Sequence, residues 1–374
     1  MPKTPQASRE VLQHFLLGFD GTSLPDELRE MLENGLAGVA IYPRNFTSVD
    51  GLRALAHEIR EAAGRRVLIG IDQEGGTKIS LPEPFTQWPR PADFGRLDDP
   101  ALVEEAARAM AMELLAAGVN LNFAPMLDLH VNPASPVTLG RSYGGNPERV
   151  GKLGAAFIRG LWKGSGVLGC AKHYPGHGDA EVDPHADLPV FHGNAQRLET
   201  KEFVPFSAAI EEEVACIMTA HILLPKVEPA GPASLSRKML HDILRVRLGF
   251  EGVILADDLG MGAIRNRYGV GEAAILSLQA GTDIVMLCHD WPLVGKTINA
   301  VESALAGGRF FDTEWVNSTQ RIQTCLAKAQ HSSHLSEETS LKLIGCRRHR
   351  ELSKKIRNQL KNWRPPMDGL GSAI

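Results

Sequence analysis

The sequence predicts an α/β fold, a TIM-like (β/α)8 barrel with a C-terminal helical extension. Eight short, near-continuous apolar runs recur over residues 14–288, segments of helical periodicity lie between them, and nearly every run ends in a charged residue or a histidine. Runs of this kind are the habit of strands buried on both faces, as in a parallel sheet covered by helices. Eight such strands alternating with helices specify a closed barrel more economically than a doubly wound sheet. No GxGxxG follows a strand, so the dinucleotide-binding form of the open sheet lacks its fingerprint.

The runs, in order, are HFLLGF (14–19), GVAIYP (38–43), RVLIGID (66–72), NLNFAPMLD (120–128), LGCAKHY (168–174), ACIMTAH (215–221), GVILADD (252–258) and TDIVMLC (282–288). Between them, residues 25–36, 49–63, 101–118, 147–164, 203–213, 233–249 and 271–281 carry apolar residues at helical spacing, commonly closed by a glycine suited to a C-cap. The runs end in Asp20, Arg44, Asp72, Asp128, Lys172 with His173, His221, Asp257 with Asp258, and His289. In a barrel these ends converge on one face, where the active site sits.

The chain has 374 residues, more than the ~250 typical of such a barrel, so residues 1–330 are read as the catalytic barrel domain and residues 331–374 as the extension. The extension carries nine Lys or Arg against four Asp or Glu, leaving 31 against 40 in residues 1–330. Its segment CRRHRELSKKIRNQLKNWR sets Leu352, Ile356, Leu360 and Trp363 on one helical stripe, which predicts a helix docked on the acidic body with a solvated basic face. Hydrophobic residues at 43%, charged residues at 22% and a mean hydropathy of -0.12 exclude disorder as the dominant state. The net charge of -4 offers no global attraction to nucleic acid or anionic lipid, so neither is expected as a partner.

No apolar stretch is long enough to span a bilayer, and the N-terminal VLQHFLLGF, interrupted by Gln13 and His14, lacks the apolar core of a secretory signal. Five cysteines, odd in number, widely spaced and without a CxxC, read as reduced thiols in a cytoplasmic protein.

The densest chemical constellation is Lys172-His173-Tyr174-Pro175-Gly176-His177-Gly178-Asp179, continuing to Asp183-Pro184-His185. A metal site is one reading, but Pro-Gly interrupts the spacing from His173 to His177, which resembles no compact ligand signature. An acid/base loop is the other: Asp183 orients His185 two residues later and stabilises its imidazolium. A surface loop with incidental histidines is the bland alternative. Asp257 and Asp258 close an apolar strand and point in different directions, so one can face the barrel mouth as a nucleophile while the other is held by its neighbours. An N-cap pair for the next helix is the competing explanation. Asp72 and Arg141 supply groups for sugar hydroxyls, or an ion pair at the barrel rim.

The motifs DQEGG, NFAPMLDL, GRSY, KHYPGHGD with DPH, MTAHILLP with PASLS, LGFEGVILADDLGMGAI and AGTDIVML occur in this order over roughly residues 12–330. Together they resemble glycoside hydrolase family 3, and within it the bacterial β-N-acetylglucosaminidases that recycle peptidoglycan fragments. The KH-aromatic-PGHG sequence followed by Asp-x-His is specific to that branch. The resemblance implies a retaining exo-β-N-acetylglucosaminidase with Asp257 as nucleophile, His185 as acid/base and Asp183 as its partner. Asp72, Arg141, Lys172 and His173 would bind the sugar. It implies no metal and no cofactor, a substrate of N-acetylglucosamine-containing muropeptides, and a monomer.

Two departures stand out. Thr77 and Lys78 occupy the place of a GGR arginine, and Pro184 takes the middle of the dyad, usually Ser. They put affinity for the second sugar in question. A phosphorylase on the same site, a non-catalytic sugar-binding barrel and a metal-dependent barrel hydrolase are the alternatives.

Overall fold

Each of the eight apolar runs supplies one strand of a closed parallel barrel in the computed structural model, which describes residues 8–180, 187–329 and 341–363. In chain order the strands are β1 (Phe15–Leu17), β2 (Gly38–Ala40), β3 (Leu68–Ile71), a hairpin of β4 (Gln73–Gly75) and β5 (Lys78–Ile79), and β6 (Leu121–Asn122). There follow β7 (Leu168–Tyr174), β8 (Cys216–Thr219), a hairpin of β9 (Leu223–Leu224) and β10 (Glu228–Pro232), β11 (Val253–Asp258) and β12 (Ile284–Leu287). Around the barrel the order is β1, β2, β3, β6, β7, β8, β11 and β12, which pairs in parallel with β1.

Successive side chains on a strand point to opposite faces, so each barrel strand divides its residues between two cores. Leu16, Leu68, Leu121, Cys170, Cys216, Met218, Val253, Leu255, Ile284 and Met286 fill the barrel interior. Leu17, Val39, Ile69, Ala171, Ile217, Ile254 and Val285 belong to the larger core between strands and helices. Gly70 lies on the inward face of β3 because the Phe123 ring already occupies that space; a Cβ there would sit 2.4 Å from its Cζ.

The periodic segments fold as helices at Asp26–Glu33, Val49–Ala63, Pro100–Ala116, Pro147–Ser165, Phe203–Glu211 and Val270–Ala280. Their ends follow the expected chemistry. The Ser48 hydroxyl accepts from the Gly51 amide at 3.0 Å, Asn146 caps Pro147–Ser165 through the Arg149 amide, and Gly64 ends Val49–Ala63 in the left-handed conformation. The helices Pro100–Ala116 and Pro147–Ser165 approach closely at Gly160, where a Cβ would meet the Glu104 carbonyl at 2.4 Å.

One helix departs from expectation. Residues 233–249 divide into a short turn at Ala233–Leu235 and a wide, π-type helix at Lys238–Arg247. Ser234 is held at the barrel mouth by His221 and by the Ser277 hydroxyl, which donates to its carbonyl, and this tether prevents one continuous helix. The short helices Pro91–Leu97 and Gly262–Tyr268 and the two hairpins carried no periodic signal.

Beyond β12, helices Trp291–Ala306 and Asp312–Lys328 continue the chain. The second closes the N-terminal end of the barrel, since Ile322, Cys325, Leu326 and Ala329 join the interior core. Arg321 ties it there through Asp283 at 2.8 Å. The final described helix, Arg347–Asn362, docks on the body through fully buried Ile356. Leu352 and Leu360 flank that contact. Two polar residues of the same face anchor it: His349 Nδ1 lies 2.7 Å from Glu113 Oε1, and the Ser353 hydroxyl donates to the Gln87 carbonyl at 2.7 Å. Among the described residues no helix is long and apolar enough to cross a membrane. Ile356→Ala should cost about 2–4 kcal/mol by leaving a cavity under this helix, read as a lower denaturation midpoint.

Candidate active site

The alternation that fills the barrel also builds its mouth. On β11 the inward positions are Val253 and Leu255, and the next is Asp257. On β7 Cys170 faces inward, and the next inward position is Lys172. Once the apolar interior ends, the same face therefore presents polar groups toward the C-terminal opening.

The two acids at the end of β11 separate as their adjacency suggests. Asp258 is buried, and its Oδ1 accepts from the amides of Gly260 at 2.9 Å and Cys288 at 3.2 Å. Asp257 is only half-buried and accepts the Asp258 amide on Oδ1 at 2.8 Å. Burial opposes its ionisation, but His173, His221, the Asp258 amide and Lys172 more than offset that and hold the carboxyl below its ordinary range. It is an anion at neutral pH.

Lys172 is buried, and its ammonium donates to Asp72 Oδ1 at 2.6 Å and Glu74 Oε1 at 2.7 Å. Burial would lower its pKa, but these two carboxylates keep it well above the usual lysine range. Glu74 also receives Arg141 in a two-pronged pair, Nη2 to Oε1 at 2.7 Å and Nε to Oε2 at 2.9 Å, and Arg141 Nη1 donates to the Val137 carbonyl. Burial pushes the Glu74 carboxyl up, and the two cations pull it far below the carboxylate range. Arg141, Lys172 and Asp72 thus form one connected network.

His173 follows Lys172 across a cis peptide. Its Nδ1 lies 2.7 Å from Asp128 Oδ2. A carboxylate only accepts, so Nδ1 carries the proton and Nε2 is the ring's remaining polar atom. Asp128 is fully buried and also accepts the amides of His173 at 3.3 Å and His177 at 2.6 Å on Oδ1. Burial would raise its carboxyl, yet His173 and His177 hold it below the usual range. His221 bridges Ser234 Oγ at 2.7 Å on Nδ1 and the Asp258 carbonyl at 3.2 Å on Nε2. A carbonyl only accepts, so Nε2 donates, and burial keeps the ring's pKa low.

Of the residues expected from the sequence, Asp257, Asp72, Arg141, Lys172 and His173 gather at this mouth. Asp183 and His185, with Pro184, lie outside the described residues. Asp128 and His221 also lie at the mouth, as expected of run ends, and hold His173 and Ser234 there; Glu74 is the residue that sequence reasoning missed. The usable signal for Glu74 is its place two residues after Asp72, and for Asp128 its place at the end of the fourth run; neither reveals the partner it takes. Thr77 and Lys78 sit exposed in the β4–β5 hairpin. Among the described residues no three His, Cys, Asp or Glu side chains are grouped to hold a metal ion.

Residues 11–325 match the glycosyl hydrolase family 3 N terminal domain. The chain belongs to glycoside hydrolase family 3. A β-hexosaminidase of Stenotrophomonas maltophilia is 37% identical over 294 residues, 77% of this chain and 86% of that protein. The structure of a family 3 β-N-acetylglucosaminidase from a Paenibacillus species superposes with a TM-score of 0.88 at 35% identity, covering 93% of this chain and 68% of that one. NagZ of Neisseria gonorrhoeae, solved in complex with N-trifluoroacetyl-D-glucosamine, superposes with a TM-score of 0.78 at 30% identity, covering 92% of this chain and 97% of that one. This family 3 chain is thus a glycoside hydrolase on a (β/α)8 barrel.

Buried imidazoles contribute to its response to acid. Burial lowers His177, beside the site, and His14, under the barrel, to about 4. Their folded pKa lies below the unfolded value of ~6.5, so the stability they contribute is complete above that pH. It is lost as the pH falls from about 6.5 to about 4, by up to roughly 3 kcal/mol for each ring. Urea midpoints measured across this range should decline, and His14→Gln should flatten the decline.

Proposed function

We propose that this chain is a retaining exo-β-N-acetylglucosaminidase. The observation that carries the reading is an ionised carboxylate, Asp257, on the inward face beside a fixed set of sugar-binding groups. Arg141 has five N–H donors and spends three on Glu74 and Val137; Lys172 has three and spends two on Asp72 and Glu74. Among the described residues, two guanidinium N–H groups, one ammonium N–H, the second oxygen of Asp72 and Nε2 of His173 have no partner and are available to a ligand. A mixed set of fixed donors and an anionic acceptor suits neighbouring sugar hydroxyls, each of which both donates and accepts. The β-hexosaminidase relatives and the acylamido sugar in the Neisseria complex support N-acetylglucosamine as that sugar.

In the first step Asp257 attacks the anomeric carbon and forms a glycosyl ester, while His185, held by Asp183, gives its proton to the departing oxygen. In the second, neutral His185 takes a proton from water, which displaces Asp257. Two inversions return the β configuration. The roles of Asp183 and His185 rest on the sequence motif. An imidazole with a pKa near ~6.5 can serve in both directions at neutral pH.

Peptidoglycan-derived fragments are the proposed natural substrates, on the resemblance of the motifs to enzymes that recycle them. A cytoplasmic setting accords with the five free thiols at Cys170, Cys216, Cys288, Cys325 and Cys346.

Wild type should release p-nitrophenol from its β-N-acetylglucosaminide and turn over the β-glucoside far more slowly. Asp257→Ala should lower kcat by at least about a thousandfold, as expected for loss of the nucleophile. No turnover by wild type, or unchanged turnover in the variant, refutes the proposal. Assays with added phosphate, analysed for a sugar 1-phosphate, separate hydrolysis from phosphorolysis.

A further inference from the structure

We infer that Glu74 is a positioning residue that sets the sugar-binding geometry of Arg141 and Lys172 without touching the sugar. The inference rests on the sugar-binding role proposed for those two cations. Glu74 belongs to β4, the first strand of the hairpin that follows Asp72, and its side chain is 1% exposed. Both of its oxygens are occupied: Oε1 accepts from Lys172 at 2.7 Å and from Arg141 Nη2 at 2.7 Å, and Oε2 accepts from Arg141 Nε at 2.9 Å. With both oxygens engaged by cations and the side chain almost wholly enclosed, it is not placed to meet a ligand.

What Glu74 does is select which hydrogens its neighbours keep. A two-pronged pair fixes the plane of a guanidinium, so the N–H groups directed away from Glu74 point in one direction. An ammonium held at two of its three hydrogens has one remaining direction as well. Asp72 alone would leave Lys172 free to swing about a single contact. Arg141 comes from the loop after β6 and Lys172 from β7, so Glu74 is the shared partner that registers one against the other.

Charge is the second part of the role. Lys172 is buried and needs nearby anions to stay protonated, and Glu74 is one of the two carboxylates that supply them. A glutamine keeps the shape but removes this charge, and its amide NH2 would confront a cation with a donor. An aspartate keeps the charge but is one methylene short of the double contact.

The experiment measures KM and kcat on p-nitrophenyl β-N-acetylglucosaminide for wild type, Glu74→Gln and Glu74→Asp. Glu74→Gln should raise KM at least tenfold, more than it lowers kcat. Glu74→Asp, which keeps the charge but loses the double contact, should raise KM as well. A wild-type KM in Glu74→Gln overturns the inference, as does a fall confined to kcat. If Glu74→Gln does not fold, a Glu74→Asp KM within twofold of wild type overturns it. If wild type does not turn the substrate over, the hydrolase reading fails, and calorimetric binding of N-acetylglucosamine then decides this one: equal affinity in wild type and variant overturns it, and a tenfold loss supports it.

Discussion

A lysine ammonium buried in the barrel mouth is the constraint on which the site depends. An unpaired charge at that depth would cost several kcal/mol or lose its proton. Lys172 avoids both because Asp72 and Glu74 accept from it, one from the end of β3 and one from the hairpin that follows. Glu74 in turn carries a second cation, Arg141, brought in by the loop after β6. Three separate segments are therefore held in one arrangement by charge neutralisation. The arrangement leaves unspent donors and acceptors on the side away from Glu74.

A second network lies beside the first and is closed by Asp128. One buried carboxylate orients the His173 ring and takes up the amides of His173 and His177, fixing the path of the chain from β7 into the loop. The two networks meet at adjacent residues, Lys172 and His173, and both lower the pKa of Asp257 across the mouth. An anionic carboxylate suited to attack is thus a product of its surroundings. Its neighbour Asp258 is spent on backbone amides and stabilises the end of the strand instead.

The strands were legible because each is short, apolar and bounded, and because a barrel strand must be apolar on both faces. The C-terminal helix was legible as a stripe through Leu352, Ile356 and Leu360, but the contacts that orient it are polar. His349 and Ser353 reach Glu113 and Gln87, more than two hundred residues away in sequence. The segment from 233 to 249 misled because its spacing is helical throughout. Ser234 is taken out of the helix by partners on β8's following turn and on Val270–Ala280, which no local pattern records. Asp72, Arg141, Lys172, His173 and Asp257 stood out because they end strands or sit in the loops that follow, where side chains converge. Asp128 stood out on the same ground but not for its role, and Glu74 not at all, because their importance lies in what they hold.

The sequence by itself determined the barrel, its eight strands, its family and the residue types available at its mouth, since these follow from local periodicity and from motifs that survive as strings. Only the tertiary structure decided which acids are free and which are spent. Asp257 and Asp258, or Asp72 and Glu74, are alike as acids, and each pair divides according to which amides, ammonium and guanidinium lie within 3.3 Å. That division depends on strand alternation and on loops from distant segments meeting at one point, and it sets both the charge and the direction of every group the ligand would meet.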